Sequence, residues 1–181
     1  MTVFVHPLGL CESSTVGSGT RVWAFTHVMA GARVGRDCNV GDHAFVETGA
    51  VVGDRVTVKN AVLIWDGVTV EDDVFVGPAV VFTNHLRPRS RAAFARVPTL
   101  VRRGATLGAG ATVVCGTTIG RHAFVAAGAV VTRDVPDHGF VAGNPAVHKG
   151  WVCTCGEPLP ATLDCSCGQR FTHTPPGLTR T

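Results

Sequence analysis

A large apolar residue recurs every six positions along the first half of the chain: Leu10, Val16, Val22, Val28, Val34, Val40, Val46, Val52, Val58, Ile64, Val70, Val76 and Phe82. The period resumes at Val101 and continues through Leu107, Val113, Ile119, Val125 and Val131. A small or aliphatic residue often stands two positions earlier, as at Ser14, Thr20, Ala32, Ala44 and Val62. Glycine often follows, as at Gly17, Gly35, Gly41, Gly53 and Gly77. A period of six does not fit the 3.6-residue helical turn, and the β-branched residues and glycines are poor helix formers. A short strand followed by a tight turn does fit. Residues i and i−2 of a strand point to one side, so each pair faces a common interior. Three such strands close a triangular coil of 18 residues, with the glycines tolerating the corners. The nineteen hexads predict an all-β chain of about six coils, stacked at the usual strand spacing of ~4.8 Å. Each inward aliphatic residue contributes roughly 1.5–3 kcal/mol on burial.

Composition narrows the class. Of 181 residues, 45% are hydrophobic and 16% charged, below the roughly 25% charge of an average soluble domain. No uninterrupted apolar run reaches the ~18 residues of a membrane helix. The opening "MTVFVHPLGLCESS" lacks the basic start and long apolar stretch of a secretory signal. The expectation is a soluble, cytoplasmic protein that binds neither membrane nor nucleic acid, the net charge being only +3.

The positive charge is local. "FTNHLRPRSRAAFARVPTLVRRG", residues 82–104, breaks the period and holds Arg87, Arg89, Arg91, Arg96, Arg102 and Arg103 without one acid. Such a concentration suits a polyanionic small molecule, the other reading being a solvated basic loop. The loop is expected to protrude over about 83–100.

After the last hexad comes "VTRDVPDHGFVAGNPAVHKG", with Pro136 and then Gly143, Asn144, Pro145 and Ala146. This segment resembles the terminator of acyl-CoA-dependent hexapeptide acetyltransferases. The blocks "IWDGVTVEDDVFVGPAVVFTN", "PRS" and "TLVRRGATLGAGATVVCGTTIG" resemble one subgroup, the nucleotide-linked 3-amino-sugar N-acetyltransferases, from about residue 3 to residue 151. The resemblance implies a left-handed parallel β-helix over residues 1–150. It also implies a homotrimer with parallel axes and active sites between subunits. The activity it implies is acetyl transfer from acetyl-CoA to the amine of a UDP- or dTDP-linked amino sugar, expected at C3. Both substrates carry a pyrophosphate, which suits arginine's planar fork.

Residue roles follow from the same resemblance. Asn84 matches the asparagine of "FTN", which lies beside the reacting amine. Asp66, one 18-residue coil earlier, would attract the substrate ammonium or orient Asn84, or else serve as a solvated corner. His85 is the candidate base; related O-acetyltransferases use a histidine in a similar loop, whereas this subgroup commonly has other residues after "FTN". Arg87 and Arg89 are candidates for substrate phosphate. His27 is a further substrate candidate, and "VWAF" at 22–25 puts Ala24 where the family often has histidine. Gly143, Asn144, Pro145, Lys149 and Arg102 are the candidates for coenzyme A.

Beyond Gly150 the period is gone. Cys153, Cys155, Cys165 and Cys167 form two C-x-C-G units in a tail over 151–181. Paired knuckles of this kind resemble zinc-ribbon hairpins, with metal-free thiols or a disulfide as the alternative. A closed four-cysteine site would be structural. Cys11, Cys38 and Cys115 read as small fillers. Three rival readings remain: an O-acetyltransferase using His85; a non-catalytic structural β-helix, which has no reason for an arginine-rich loop; and a γ-class carbonic anhydrase, which needs converging histidines where His43, His85 and His122 are scattered.

Overall fold

The computed structural model describes residues 2–93, 95–175 and 177–181, which contain strands and turns but no helix, hence no helix long and apolar enough to cross a membrane. Strands of two or three residues, lengthening at the end to Gly139–Ala142 and Val147–Trp151, are laid in turn onto three sheets that are parallel apart from that last strand. The nine-stranded sheet runs from Phe4–Val5 to Val147–Trp151. The seven-stranded one runs from Leu10–Cys11 to Val130–Val131, and the five-stranded one from Arg33–Val34 to Thr118–Ile119. From Arg21–Val22 to Thr112–Val113 each strand pairs with the third one after it, as Val22 with Val40 and Val40 with Val58. The chain is therefore a parallel β-helix of three faces.

The hexad residues point inward. From Val22 to Phe82 and from Val101 to Val131 all are at most 3% exposed. The residues two positions before them are buried as well, among them Ala32, Ala44, Val62, Ala105 and Ala129. Where that position is polar, most of the hydroxyls are satisfied: Thr20 and Thr26 donate to the carbonyls of Gly35 and Gly41, both at 2.7 Å, whereas Thr99 Oγ1 is buried with no hydrogen-bond partner among the described residues. Between coils the ladder is regular, with Asn39 N–H donating to Val56 at 3.0 Å and Gly53 N–H to Val70 at 2.8 Å.

Two details differ from the sequence reading. The first coil is one residue short, pairing Cys11 with Val28, so Cys11 takes the inward place and Leu10 is 52% exposed. The glycines also do different work from that expected. Those directly after the inward residue fit because the next coil passes too close: a Cβ on Gly35 would lie 2.4 Å from the Gly53 carbonyl oxygen. The left-handed conformation falls two residues later, at Gly67 (φ 87°) but also at Asp37, Arg55, Asp73 and His122 (φ 53–60°). The prism is also longer than six coils. The nine-stranded sheet gains Phe4–Val5 at one end and Gly139–Ala142 at the other, which gives about eight turns.

The interruption leaves the ladders intact. Val70 pairs with Val101, Val76 with Leu107 and Phe82 with Val113, each 31 positions apart against 18 for Val22 and Val40, so 13 residues are inserted at one corner. Its base is closed by Val97 N–H donating to the Asn84 carbonyl at 3.0 Å and Thr99 N–H to Gly67 at 3.0 Å. Arg96 reaches back and donates from Nη1 to both carboxylate oxygens of Asp66.

A second group of buried residues belongs to the tail: Cys153, Leu163, Cys165, Phe171 and Leu178. The tail ends in a hairpin of Phe171–Thr174 and Gly177–Arg180.

Two outcomes follow. Replacing the fully buried Ile64 by alanine should lower stability by about 2–5 kcal/mol, measured by denaturant unfolding; a loss under about 1 kcal/mol would contradict a close-packed axis. Arg96→Gln should leave global stability unchanged but raise the rate of trypsin cleavage after Arg89 and Arg91 about two- to five-fold, the value of an exposed ion pair of ~0.5–1 kcal/mol. An unaltered cleavage rate would mean that Asp66 does not hold the loop.

Candidate active site

The edge between the seven- and five-stranded sheets carries Asn84. It lies two residues beyond the strand Val81–Phe82, and its carbonyl is fixed by Val97. The register Leu63 with Val81 places Asp66 at the equivalent corner of the coil below. Glu47 accepts the Asp66 amide at 2.7 Å, so the backbone at this corner is held by the preceding coil. Asp66 is engaged by Arg96, a partner the sequence reading did not supply. Its carboxylate raises the Arg96 guanidinium above its ordinary value by direct hydrogen bonding. Thr83 lies beside Asn84, and its hydroxyl accepts the Cys115 amide at 2.9 Å. The peptide that presents Asn84 is thus tied to the next coil through Thr83 and across the loop base through Val97.

His85 follows, half-buried, at the start of the loop. Arg87, Arg89 and Arg91 are exposed on its outer part, Arg89 donating to the neighbouring Pro88 carbonyl at 3.1 Å. The six arginines therefore separate. Arg96 faces Asp66, Arg103 faces Asp72 and Asp73 at 3.1 and 3.2 Å, and Arg102 faces Asp137 at 3.9 Å.

The Gly143–Ala146 turn lies at a different edge, between the nine- and seven-stranded sheets. Val130 N–H donates to Gly143 at 2.9 Å and Ala146 N–H to Val130 at 2.8 Å, so the turn caps the last strand of the seven-stranded sheet. Gly143 has φ 98°, a conformation that favours glycine, and the Asn144–Pro145 peptide is cis. Lys149 is exposed on the antiparallel return strand Val147–Trp151, with His148 packed edge-on to Trp151.

Arg102 belongs to the third edge, after the strand Thr99–Val101 of the five-stranded sheet. It lines a cleft with Thr118, Gly120, Asp134, Pro136 and Asp137. Its Nε is buried and makes no hydrogen bond among the described residues. Within one chain, then, Asn84, Asp66 and the loop form one group, the Gly143–Lys149 segment a second and Arg102 a third.

His27 joins none of them. It lies three strands from Val81 along the seven-stranded sheet, roughly 14 Å at the usual spacing. There it bonds Glu12 at 2.9 Å. His43 stacks on Phe25 and His122 on His138, with ring centroids 4.9 and 5.2 Å apart. Burial, the larger effect, and the neighbouring His138 lower the pKa of His122. Among the described residues no three histidines converge; the one grouping able to hold a metal is the tail's Cys153, Cys155, Cys165 and Cys167.

Those four sulfurs lie within 4.8 Å of one another, Cys153 to Cys167 and Cys155 to Cys165 being 3.6 Å apart. Each knuckle is a tight turn. Gly156 N–H returns to Cys153 and Gly168 N–H to Cys165, both at 2.9 Å, with φ 94° and 88° at the two glycines. Hydrogen bonding from the Cys167 amide is the main cause that brings the Cys165 thiol down to about 7.

The family model described as bacterial transferase hexapeptide (six repeats) matches residues 13–48, and that of the hexapeptide repeat of succinyl-transferase matches 98–133. The dTDP-3-amino-3,6-dideoxy-alpha-D-galactopyranose 3-N-acetyltransferase of Aneurinibacillus thermoaerophilus is 46% identical over 95% of this chain and 92% of its own. Among solved structures, the acetyltransferase domain of PglB from Neisseria gonorrhoeae FA1090 superposes with a TM-score of 0.59 at 26% identity. The match covers 81% of this chain and 57% of that one. A second structure of that domain, in complex with acetyl coenzyme A, gives the same TM-score at 24% identity, a likeness of fold. With its hexads, its terminating turn and 46% identity along nearly the whole length of such an enzyme, the chain belongs to the hexapeptide-repeat, left-handed β-helical acetyltransferases, in their nucleotide-linked 3-amino-sugar N-acetyltransferase subgroup.

Proposed function

We propose that the protein transfers the acetyl group of acetyl-CoA to the C3 amine of a nucleotide-linked amino sugar. The relative 46% identical to it favours a dTDP-linked 6-deoxy sugar. The observation that carries the site assignment is the 13-residue excursion raised directly after Asn84, with Arg87, Arg89 and Arg91 exposed on its outer part. Two pyrophosphate-bearing molecules must meet at the reacting amine, and exposed guanidinium forks next to a fixed amide suit that meeting.

The chemistry is acyl transfer. The neutral amine adds to the thioester carbonyl, the tetrahedral oxyanion collapses, the C–S bond breaks, and coenzyme A leaves as thiolate while nitrogen gives up its proton. The Asn84 side chain holds the amine with its lone pair toward the thioester, on a peptide fixed by the next coil and by the base of the loop. The departing thiolate is a sufficient destination for the proton, so His85 is not required as a base. Gly143, Asn144, Pro145 and Lys149 take the nucleotide end of coenzyme A.

The three groups of site residues lie at three edges of one prism, and a homotrimer with parallel axes brings edges of different subunits together. The outward row of the seven-stranded sheet supports such packing: Leu10, His27, Phe45, Leu63 and Val81 follow one another along it, mostly apolar, Leu10 and Val81 being 52% and 37% exposed. Residues 1–150 carry the transfer, in the cytoplasm. The tail at 151–181 holds one structural zinc through its four thiolates.

The test is acetylation of a panel of UDP- and dTDP-linked amino sugars, followed by release of free thiol from acetyl-CoA. Asn84→Ala should lower kcat by roughly 10²-fold, as misplacement of a reacting group does, with little change in acetyl-CoA affinity. His85→Ala should keep most of the activity. A near-dead His85→Ala enzyme would instead favour base-assisted transfer to a hydroxyl.

A further inference from the structure

The tail does more than follow the prism: it grips one turn of the last coil from two sides. On one side, Val152, directly before the first cysteine, donates its N–H to the His138 carbonyl at 2.8 Å. Its own carbonyl lies 3.0 Å from His138 Nδ1. On the other side, Leu178 N–H donates to the Asp137 carbonyl at 3.2 Å, and Phe171 packs edge-on against the His138 ring at 4.9 Å. The fit at Gly177 is close enough to exclude any side chain, since a Cβ there would lie 2.2 Å from the Asp137 oxygen.

The gripped turn carries the carboxylate that shapes the Arg102 cleft. Asp137 Oδ1 accepts the Arg121 amide at 2.7 Å and stands 3.9 Å from Arg102 Nη1. The backbone on either side is tied in, with His138 N–H donating to Arg121 at 2.8 Å. Asp137 is thus fixed from below by the prism and from above by the tail.

The tail lacks the material to hold this grip by itself. Its core is five residues, Cys153, Leu163, Cys165, Phe171 and Leu178. Units below about 40 residues usually require a metal or disulfides to keep their shape. Two of the five core residues are thiols of the four-sulfur group. A tetrahedral zinc–thiolate site, with Zn–S near 2.3 Å, has sulfurs ~3.8 Å apart, and the nearest pairs here are at 3.6 Å. The donor set therefore fits the ion. Zinc would supply charge compensation for four thiolates and a rigid link between the two knuckles, and no chemistry on substrate.

We propose that zinc binding by Cys153, Cys155, Cys165 and Cys167 locks the tail onto the Asp137–His138 turn, making the metal the clasp that sets the position of Asp137 opposite Arg102. This rests on the zinc reading given above and not on the identity of the sugar substrate. The metal content of the purified full-length protein tests the first step, and backbone hydrogen exchange with and without chelator tests the second.

About one zinc per chain is expected. Its removal should speed exchange about tenfold or more at the amides of Arg121, His138, Val152 and Leu178, while coils before the loop, such as at Asn39 and Thr57, keep their protection. Gly177→Ala should retain the zinc yet loosen Arg121 and His138 in the same way, because its added methyl group meets the Asp137 backbone and not the thiols. A protein that binds no metal would overturn the zinc reading and the clasp together. Zinc bound, with Arg121 and His138 unchanged by either chelation or Gly177→Ala, would leave the ion in place and overturn the clasp alone.

Discussion

Hydrogen bonding from each coil to the next is the constraint under which every other residue of the prism has been placed. Strands of two residues have no stability of their own; each is held by neighbours 18 positions away and by the side chain it sends inward. Satisfying backbone groups in this way fixes the distance between coils and leaves no room for a Cβ where one corner passes over another. That is why Gly35 meets the Gly53 backbone directly. It is also why the corner two residues later turns left-handed even where the residue is aspartate or arginine, at a cost of roughly 1–2 kcal/mol per position. A conformation that unfavourable persists because the ladder on both sides determines it.

The same constraint explains where a site can be built. Residues cannot be added inside a strand without shifting its side chains from core to solvent. They can be added at a corner, and there the 13-residue insertion leaves the three ladders that pass it, Val70 to Val101, Val76 to Leu107 and Phe82 to Val113, in register. Function is thereby confined to the edges of the prism, and the charges follow that division. Along the edge between the five- and nine-stranded sheets, Arg36 pairs with Asp54, Arg55 with Asp73, and Arg103 with Asp72 and Asp73. Hydrogen bonds from these arginines, first among the causes at Asp73 and second to the Arg36 amide at Asp54, hold both carboxyls below their ordinary range. Arg103 looks like part of the basic loop in the sequence and belongs to this structural ladder in three dimensions. What remains for an anionic ligand on the outer loop is Arg87, Arg89 and Arg91, a smaller and better-defined set than the composition of the segment suggested.

The phase of the core was legible from Val16 onward because inward residues must be apolar and evenly spaced, and both properties are written in the linear order. It was not legible at Leu10, where a coil one residue short hands the inward place to Cys11; a single deletion at the open end has no later repeat to expose it. The length of the prism was underestimated for a related reason. Val141 pairs with Val125 only 16 positions on, so the closing coil carries no hexad to count. Around Asn84 the local motif located the corner. The pairing of Asp66 with Arg96 escaped notice because it joins residues 30 apart across an irregular loop, where no period relates position to space. The cysteine spacing identified the ligand set; nothing in it indicated that Gly177, ten residues beyond Cys167, would seat against Asp137.

A β-helix ends in unpaired backbone, and an unpaired parallel edge invites further strands. The two ends of this prism meet that difficulty differently. At the first, the strands Phe4–Val5 and Leu10–Cys11 are partly exposed, with Phe4 packed edge-on against Trp23 at 5.6 Å. At the second, the chain reverses after Gly143, covers the last parallel strand with the antiparallel Val147–Trp151, and then adds the tail. The reversal satisfies the backbone of Gly139–Ala142 but leaves the adjoining turn at Asp137 and His138 with its carbonyls facing out. Val152 and Leu178 supply the donors for those two carbonyls. The tail thus finishes the hydrogen bonding that the last coil cannot complete for itself, and the order of that coil, with the Arg102 cleft it borders, depends on how firmly thirty-odd residues with so small a core can be held.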